Sequence, residues 1–206
     1  TIGAYDDWAA LEAFASQVQA VTYEFENVPE GTAAFLAKHV PVRPGAKALS
    51  VAQDRLTEKA FITGLGVSVA PFHAVDSVAD LAAGLAKFNA PAILKTRRLG
   101  YDGKGQTSVA PGDDLEAAFA AVGQAPSVLE QRLAFMREIS VLVCRAETGA
   151  HVTYDIPHNT HQGGILRRSV VPAPLEDNVV QASNSMAEQI AEALGYVGLL
   201  AVEMFD

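Results

Sequence analysis

A predicted strand that ends in a lysine runs directly into a loop rich in glycine and positive charge. The apolar run 92–94 precedes Lys95, which places a compact point cation at the strand end. Glycines in the loop allow backbone N–H groups to close around an anion without Cβ clashes. This combination is typical of a phosphate-binding site. Its cations are Lys95, Arg97, Arg98 and Lys104, and its glycines are Gly100, Gly103 and Gly105.

The loop differs from two well-known phosphate-binding signatures. It lacks G-x-x-x-x-G-K-[ST], and its glycines follow G-x-x-G-x-G, the reverse of the dinucleotide-binding motif. A strand-like run, 107–110, follows Gln106 where those motifs have a helix. Taken alone, the glycines are better explained by a hairpin with a solvated basic tip. Four cations close together in a chain of net charge -9 favour an anion site.

The composition is that of a globular protein. With 206 residues, of which 50% are hydrophobic and 19% charged, the chain can bury a full core. No apolar run reaches about 18 residues and no leader opens the chain, so we expect a cytoplasmic protein without membrane association. The acidic balance argues against nucleic-acid binding. The single cysteine, Cys144, lies in an apolar run, which favours a buried inert thiol.

Hydrophobic periodicity predicts a mixed α/β (α+β) fold in three parts. The first part, residues 1–71, has helices near 8–18, 28–39 and 53–65, and short strands at 20–23 and near Val42. The second part, residues 72–128, is a βαββαβ unit whose glycine loop joins the two middle strands. The third part, residues 129–206, contains strands at 138–146, 151–155 and 165–170, a polar loop with His158, Asn159 and His161, a helix at 177–194 and a final strand. The absent initial methionine and the apolar final run predict a piece of a longer protein.

Two further regions with acidic residues are candidates for chemistry. Glu24, Glu26 and Asn27 follow the predicted strand 20–23, and ligands of open α/β sheets bind at the carboxyl ends of strands. An acidic loop that caps the next helix is an equally good explanation. Glu203 interrupts an apolar strand that shows no polar face, and burying it unpaired would cost several kcal/mol. We therefore predict that Glu203 is a buried ligand of Mg²⁺, which prefers carboxylate oxygens.

Several segments resemble the ATP-grasp ligases, and within them the 5-(carboxyamino)imidazole ribonucleotide synthetases of purine biosynthesis. The discriminating pieces are the Tyr-Asp glycine loop, 100–106, and the Asn-x-His run, 159–161. The other matching segments are 22–29, 53–59, 94–95, 129–131, 137–140, 164–166, 195–198 and 201–203. The resemblance implies that 1–71 is part of a Rossmann-like pre-ATP-grasp domain. It also implies that 72–128 is the small ATP-grasp subdomain with a glycine-loop lid, and that 129–206 begins the large one.

The resemblance also implies an activity. Bicarbonate and ATP would form carboxyphosphate, which carboxylates 5-aminoimidazole ribonucleotide and releases ADP and phosphate. ATP and Mg²⁺ would be the cofactors, and the enzyme would be a homodimer. Two alternatives stay open. The first is another ATP-grasp ligase that is formate- or biotin-dependent, which would share Lys95, Glu130 and Glu203 but not the Tyr101-Asp102 loop. The second is a non-catalytic nucleotide-binding module.

Site residues follow from the same resemblance. Arg55 and Lys95 would contact the ATP phosphates, Glu130 would lie at the adenine, and Glu138 would accept the ribose hydroxyls. Pairing with Glu58 is the alternative for Arg55. The implied ATP-binding set is Arg55, Lys95, Gly100, Tyr101, Asp102, Gly103, Lys104, Gly105, Gln106, Glu130, Gln131, Arg132, Leu133, Glu138 and His161. The implied catalytic residues are Tyr101, Asp102, Lys104 and His161, the implied substrate-binding residues are Glu26, Asn27, Tyr101, Asp102 and Lys104, and the implied metal ligand is Glu203.

His161 has two explanations that the sequence leaves open. The histidines at 158 and 161 lack nearby cysteines and an H-E-x-x-H motif, so a zinc site is not indicated. A contact to phosphate or bicarbonate fits the resemblance. A histidine in a surface loop is the competing interpretation.

Overall fold

The computed structural model describes residues 2–100 and 104–206, which form two compact units. One unit comprises the residues up to Ala52 with Glu138–His158 and Val170–Asp206, and the other comprises Gln53–Arg137 and Asn159–Ser169. Both contain helices and strands, which confirms the predicted α/β (α+β) class. Among the described residues, no helix combines the length and apolarity needed to span a membrane.

The helices and strands follow the chain in this order. The helices are α1 (Trp8–Ala15), α2 (Glu30–Leu36), α3 (Ala46–Ala52), α4 (Arg55–Gly64), α5 (Val78–Phe88), α6 (Leu115–Ala121) and α7 (Asp177–Leu194). The strands are β1 (Phe72–Val75), β2 (Ala92–Thr96), β3 (Gln106–Val109), β4 (Ser127–Gln131), β5 (Glu138–Arg145), β6 (His151–Thr153), β7 (His158–Gln162), β8 (Ile165–Val170) and β9 (Gly198–Phe205).

The region before α4 is more helical than the sequence suggests. Helix α3 was not predicted, and the strand predicted at 20–23 is reduced to an isolated parallel bridge between Val21 and Val42. Val21 exchanges backbone hydrogen bonds with Pro41 and Arg43, at 2.9 Å each. Prolines at 41 and 44 have no N–H to donate, so the ladder is not extended beyond this bridge.

The second unit contains the predicted βαββαβ arrangement. Its antiparallel sheet has the order β1-β4-β2-β3, and helices α5 and α6 pack on one face. Side chains alternate between the two faces of a sheet, so Leu94 and Leu129 lie in the core beneath the helices. Their neighbours Lys95 and Glu130 therefore lie on the opposite face. The glycine loop joins β2 to β3, with Lys95 opposite Gln106 in the register.

The unit that contains α7 is built around the antiparallel pair β5 and β9. Val141 of β5 lies opposite Val202 of β9, and both pack in the core with Ala187 of α7. The next pair along the register, Ser140 and Glu203, therefore lies on the other face of these strands.

The polar loop predicted at residues 158–161 is wrong, since these residues form strand β7. Strand β8 is its neighbour in the sheet. Between them stand Gly163 and Gly164, with φ of 61° and 77°. Two successive residues at positive φ are the requirement of a type I′ hairpin turn. The Gly-Gly pair is thus the local signal for this hairpin.

A glycine in α5 provides a test of how closely the helix approaches the sheet. A Cβ at Gly84 would lie 2.8 Å from His73 Cδ2 and 2.9 Å from Leu129 Cδ2, whereas a Cβ at Gly31 in α2 meets nothing within 4 Å. We expect Gly84→Ala to lower the free energy of unfolding by about 1–2 kcal/mol through overpacking. The control Gly31→Ala should raise it by about 0.5 kcal/mol, because alanine favours a helix. Urea denaturation measures both, and equal stabilisation by the two substitutions would contradict the close approach.

Candidate functional site

Helix α4 begins at a buried carboxylate. Asp54, which is 5% exposed, accepts hydrogen bonds from the backbone N–H groups of Leu56 and Thr57 at 3.0 and 3.3 Å. The same carboxylate binds the guanidinium of Arg97 through two contacts of 3.0 and 2.8 Å, and Arg98 lies 3.4 Å away. Burial alone raises the pKa of Asp54, but the hydrogen bonds from Arg97 and the helix outweigh it and lower the pKa below its usual value.

Arg55 anchors the base of the glycine loop. Its guanidinium donates to the carbonyl oxygens of Thr96 at 2.9 Å and Gly100 at 3.2 Å. A Cβ at Gly100 would lie 3.0 Å from the guanidinium, and a Cβ at Gly105 would lie 2.7 Å from Thr96 Oγ1. Close packing and a positive φ favour glycine strongly at position 105, whereas a Cβ at position 100 would require the guanidinium of Arg55 to shift. The loop is more than a solvated hairpin tip, because its first half is bonded to α4.

A second buried carboxylate binds two lysines. Glu130, at the end of β4, is 8% exposed and lies 3.0 Å from Lys95 Nζ and 3.4 Å from Lys59 Nζ. The lysine side chains are 23% and 14% exposed, so both are largely desolvated. One carboxylate thus holds two ammonium groups on the sheet face opposite the core. Glu130 and its two lysines together carry a net positive charge, which suits an anionic ligand.

Two of these residues were not predicted from the sequence. Asp54 has the signature of a helix N-cap, an aspartate immediately before a helix with acidic residues in its first turn. Lys59 stands four positions after Arg55, which places both on one face of α4. Five cations and two carboxylates therefore meet here, and the positive charge is in excess. They are Arg55, Lys59, Lys95, Arg97 and Arg98, with Asp54 and Glu130.

The remaining predicted residues of this unit are less enclosed. Lys104 and Gln106 are exposed, and Gln131 ends β4. Arg132 and Leu133 are exposed in the segment that follows. Tyr101, Asp102 and Gly103 lie outside the described residues. His161, predicted in a loop, lies half-buried on β7 instead.

The prediction that Glu203 is buried is wrong. Residues of β9 alternate between half-buried and exposed, and Glu203 shares the exposed face with Leu199, Ala201 and Phe205. The apolar character of these neighbours concealed the alternation, since apolar residues are common on protein surfaces. Glu203 lies opposite Ser140. It is therefore accessible to a ligand without the desolvation cost that the buried position would carry.

Glu138 and the acidic residues near α2 also belong to the unit that contains Glu203. Glu138 begins β5 and is half-buried opposite Phe205. Glu26 and Asn27 lie in a turn before α2, not at the end of a strand, so the strand-end argument for them is wrong. Burial raises the pKa of Tyr196, and the charge of Glu26 raises it further. Within the described residues, no group of three or more His, Cys, Asp or Glu side chains is placed to hold a metal ion.

The sequence matches two family models along nearly its whole length. Residues 60–206 match the ATP-grasp domain, and residues 1–53 match the ribonucleotide synthetase preATP-grasp domain. The chain therefore belongs to the ATP-grasp family, as the glycine loop and the cation-bearing strand end indicated.

Several similar proteins are ATP-grasp proteins of one kind. The chain is 43% identical to N5-carboxyaminoimidazole ribonucleotide synthase of Brucella melitensis, with 99% of the chain and 57% of the relative covered. The N5-carboxyaminoimidazole ribonucleotide synthetase structure from Thermus thermophilus is 44% identical with a TM-score of 0.92, covering 100% of the chain and 56% of the other. The corresponding Staphylococcus aureus structure, complexed with ADP, is 31% identical with a TM-score of 0.92, covering 100% and 54%. The chain thus spans about half the length of these relatives.

The contacts of Glu130 with Lys59 and Lys95 lead to a prediction about stability. Glu130→Gln leaves Lys59 and Lys95 close together without their counter-ion, so the free energy of unfolding should fall by about 2 kcal/mol. Adding Lys59→Met should restore part of the loss, because one of the two repelling charges is removed. Urea denaturation of the single and double variants measures this. A double variant less stable than Glu130→Gln would show that repulsion between the lysines is not the cause.

Proposed function

We propose that the protein to which this chain belongs is an N5-carboxyaminoimidazole ribonucleotide synthase. Bicarbonate oxygen would attack the γ-phosphorus of ATP, ADP would leave, and carboxyphosphate would form. The amine of 5-aminoimidazole ribonucleotide would then bond to the carboxyl carbon with release of phosphate. The observation that carries the proposal is the pairing of Lys59 and Lys95 with the buried Glu130, beside an Arg55 held by the carbonyl oxygens of Thr96 and Gly100. The chain is also similar to synthases along its whole length.

The proposed contribution of the second unit is to bind the ATP phosphates. Lys95 offers a point charge, and Arg55, fixed by two carbonyl oxygens, leaves guanidinium N–H groups for a phosphate oxygen. Phosphoryl transfer depends mainly on positioning and charge neutralisation, which fixed cations supply. Near the end of β4, exposed apolar side chains suit a purine base. They are Leu133, Phe135 and Met136.

Glu130 is proposed to control where the lysines point. Its carboxylate binds both ammonium groups. A triphosphate competes for the same positive charges, and Lys95 is the lysine predicted to turn towards it. Lys59 would then remain on Glu130, so that the buried carboxylate keeps a counter-ion.

We also propose that the protein uses Mg²⁺ as a cofactor together with ATP. Mg²⁺ is commonly held by one or two carboxylates together with substrate phosphates and water. Glu203 fits this donor set as one exposed carboxylate, with the hydroxyl of Ser140 opposite it on β5. The bound ion would neutralise charge on the transferred phosphoryl group.

The family resemblance supports the roles that we propose for the other site residues. Glu138 would bind the ribose, and Tyr101, Asp102, Lys104 and His161 would act on the reacting groups. Glu26 and Asn27 would contact the ribotide. We also propose the division into residues 1–71, 72–128 and 129–206, a cytoplasmic location and a homodimer.

The proposed role of Lys95, at the end of β2, can be tested by ATP binding. Lys95→Met should weaken ATP binding by on the order of tenfold or more, because a charge-assisted contact to phosphate is lost. The control Lys87→Met removes a charge from the exposed end of α5 in the same unit and should leave ATP affinity unchanged. Calorimetric titration of the intact protein measures both. Equal affinities for wild type and a folded Lys95→Met variant would remove Lys95 from the site.

The second prediction concerns the metal ligand. Because Glu203 is exposed, Glu203→Gln should change the free energy of unfolding by no more than about 0.5 kcal/mol. Turnover should lose its normal dependence on Mg²⁺ concentration, because an amide is a weaker ligand than a carboxylate. Glu116→Gln, at an exposed position of α6, is the control. A Glu203→Gln variant with wild-type Mg²⁺ dependence would reject the assignment.

The third prediction concerns substrate choice. The intact protein should release phosphate from ATP only when 5-aminoimidazole ribonucleotide and bicarbonate are both present, and formate or biotin should not replace them. A site that hydrogen-bonds its substrate can reject analogues by on the order of 10⁴-fold, since buried polar groups would stay unpaired. Phosphate release is followed with each substrate omitted in turn. Release without the ribotide, or release driven by formate, would overturn the proposed function.

A further inference from the structure

We propose that Asp54 is a positioning residue for nucleotide phosphates, acting through Arg97 to fix the start of the glycine loop and the guanidinium of Arg55. The inference rests on the proposed ATP binding by this unit. Asp54 itself is directed towards α4 and the two arginines, so its action on a bound phosphate would be indirect.

One carboxylate joins two separate elements. Asp54 caps α4 through the N–H groups of Leu56 and Thr57, and it binds the guanidinium of Arg97 just after β2. The strand β2 carries Lys95, and α4 carries Arg55. The two proposed phosphate contacts are therefore fixed relative to each other by Asp54.

The backbone around Arg97 strengthens this connection. The N–H of Arg55 donates to the carbonyl oxygen of Arg97 at 3.0 Å, and the N–H of Arg97 donates to Pro126 at 3.0 Å. The Arg55 guanidinium then reaches the carbonyl oxygens of Thr96 and Gly100. A shift of Arg97 would thus move the carbonyl oxygens that orient Arg55.

Asp54 differs from the other aspartate caps in its burial and in the arginines that its carboxylate binds. Asp7 and Asp114 cap α1 and α6 by accepting from Ala10 and Ala117, and both are exposed. Asp54 is buried and binds two guanidinium groups as well. A cap alone needs only an oxygen acceptor, which asparagine supplies as well as aspartate does. The burial of a charged carboxylate is explained by the arginines that it holds.

The test separates capping from charge. Asp54→Asn keeps the capping oxygen and removes the charge, and Asp114→Asn is the matched control on α6 of the same unit. In the intact protein with Mg²⁺, Asp54→Asn should weaken ATP binding by on the order of tenfold, since coupled neighbours interact at this scale. Adenosine, which has no phosphate and is titrated by NMR, should bind as in wild type. Asp114→Asn should change neither affinity.

A second substitution tests the route through Arg97. Arg97→Gln should weaken ATP binding similarly while the cap of α4 stays intact. The double variant should then be no weaker than the more affected single variant, because both substitutions break one interaction. Arg97→Gln also provides the measurement if Asp54→Asn does not fold.

The outcomes distinguish this inference from the proposed function. A role limited to stability would lower the melting temperature of both variants and leave their ratio of ATP to adenosine affinity at the wild-type value, which would overturn the inference alone. Additive losses in the double variant would also overturn it. A wild-type protein that does not bind ATP would overturn the proposed function and this inference together.

Discussion

Two buried carboxylates determine where the positive charges of one unit lie. Asp54 holds Arg97 and Arg98, and Glu130 holds Lys59 and Lys95. Cations on long side chains would otherwise sample many rotamers in water, and that freedom has to be given up when a ligand binds. Buried ion pairs contribute little net stability, because desolvation offsets attraction. Their value here is positional, since they arrange several cations before any anion arrives.

The glycines of the loop serve the same arrangement. Gly100 and Gly105 allow Arg55 and Thr96 to approach the backbone at distances that a Cβ would prevent. The loop base is therefore bonded to α4 and β2, so the cations at the base share one rigid support. Lys104, farther along the loop, is exposed. Arg55 and Lys95, at the base, are more enclosed than Lys104.

Much of the fold could be predicted from the sequence, and the failures have physical causes. The βαββαβ unit was predicted correctly because strands such as β2 contain short apolar runs and its helices carry clear caps, such as Ser77 before α5. The strand at 20–23 failed because prolines limit its partner, which is a property of a distant segment. The hairpin of β7 and β8 was missed because polar residues in β7 concealed a strand. Its Gly163-Gly164 turn was the stronger signal.

The candidate site, like the fold, could be predicted from the sequence only in part. Residue types and spacing alone identified Lys95 and the cation-rich glycine loop as a candidate anion site, because phosphate chemistry demands cations and glycines at short range. The family was identified by the resemblance of several longer segments. Only the tertiary structure showed that Asp54 and Glu130 bind those cations, since their partners stand 35 to 71 positions away along the chain. It alone placed Glu203 on an exposed face, because strand alternation is hidden when both faces carry apolar residues. Sequence thus determined which chemical groups are present, and packing decided which of them meet, since contacts between distant segments depend on how sheets and helices assemble.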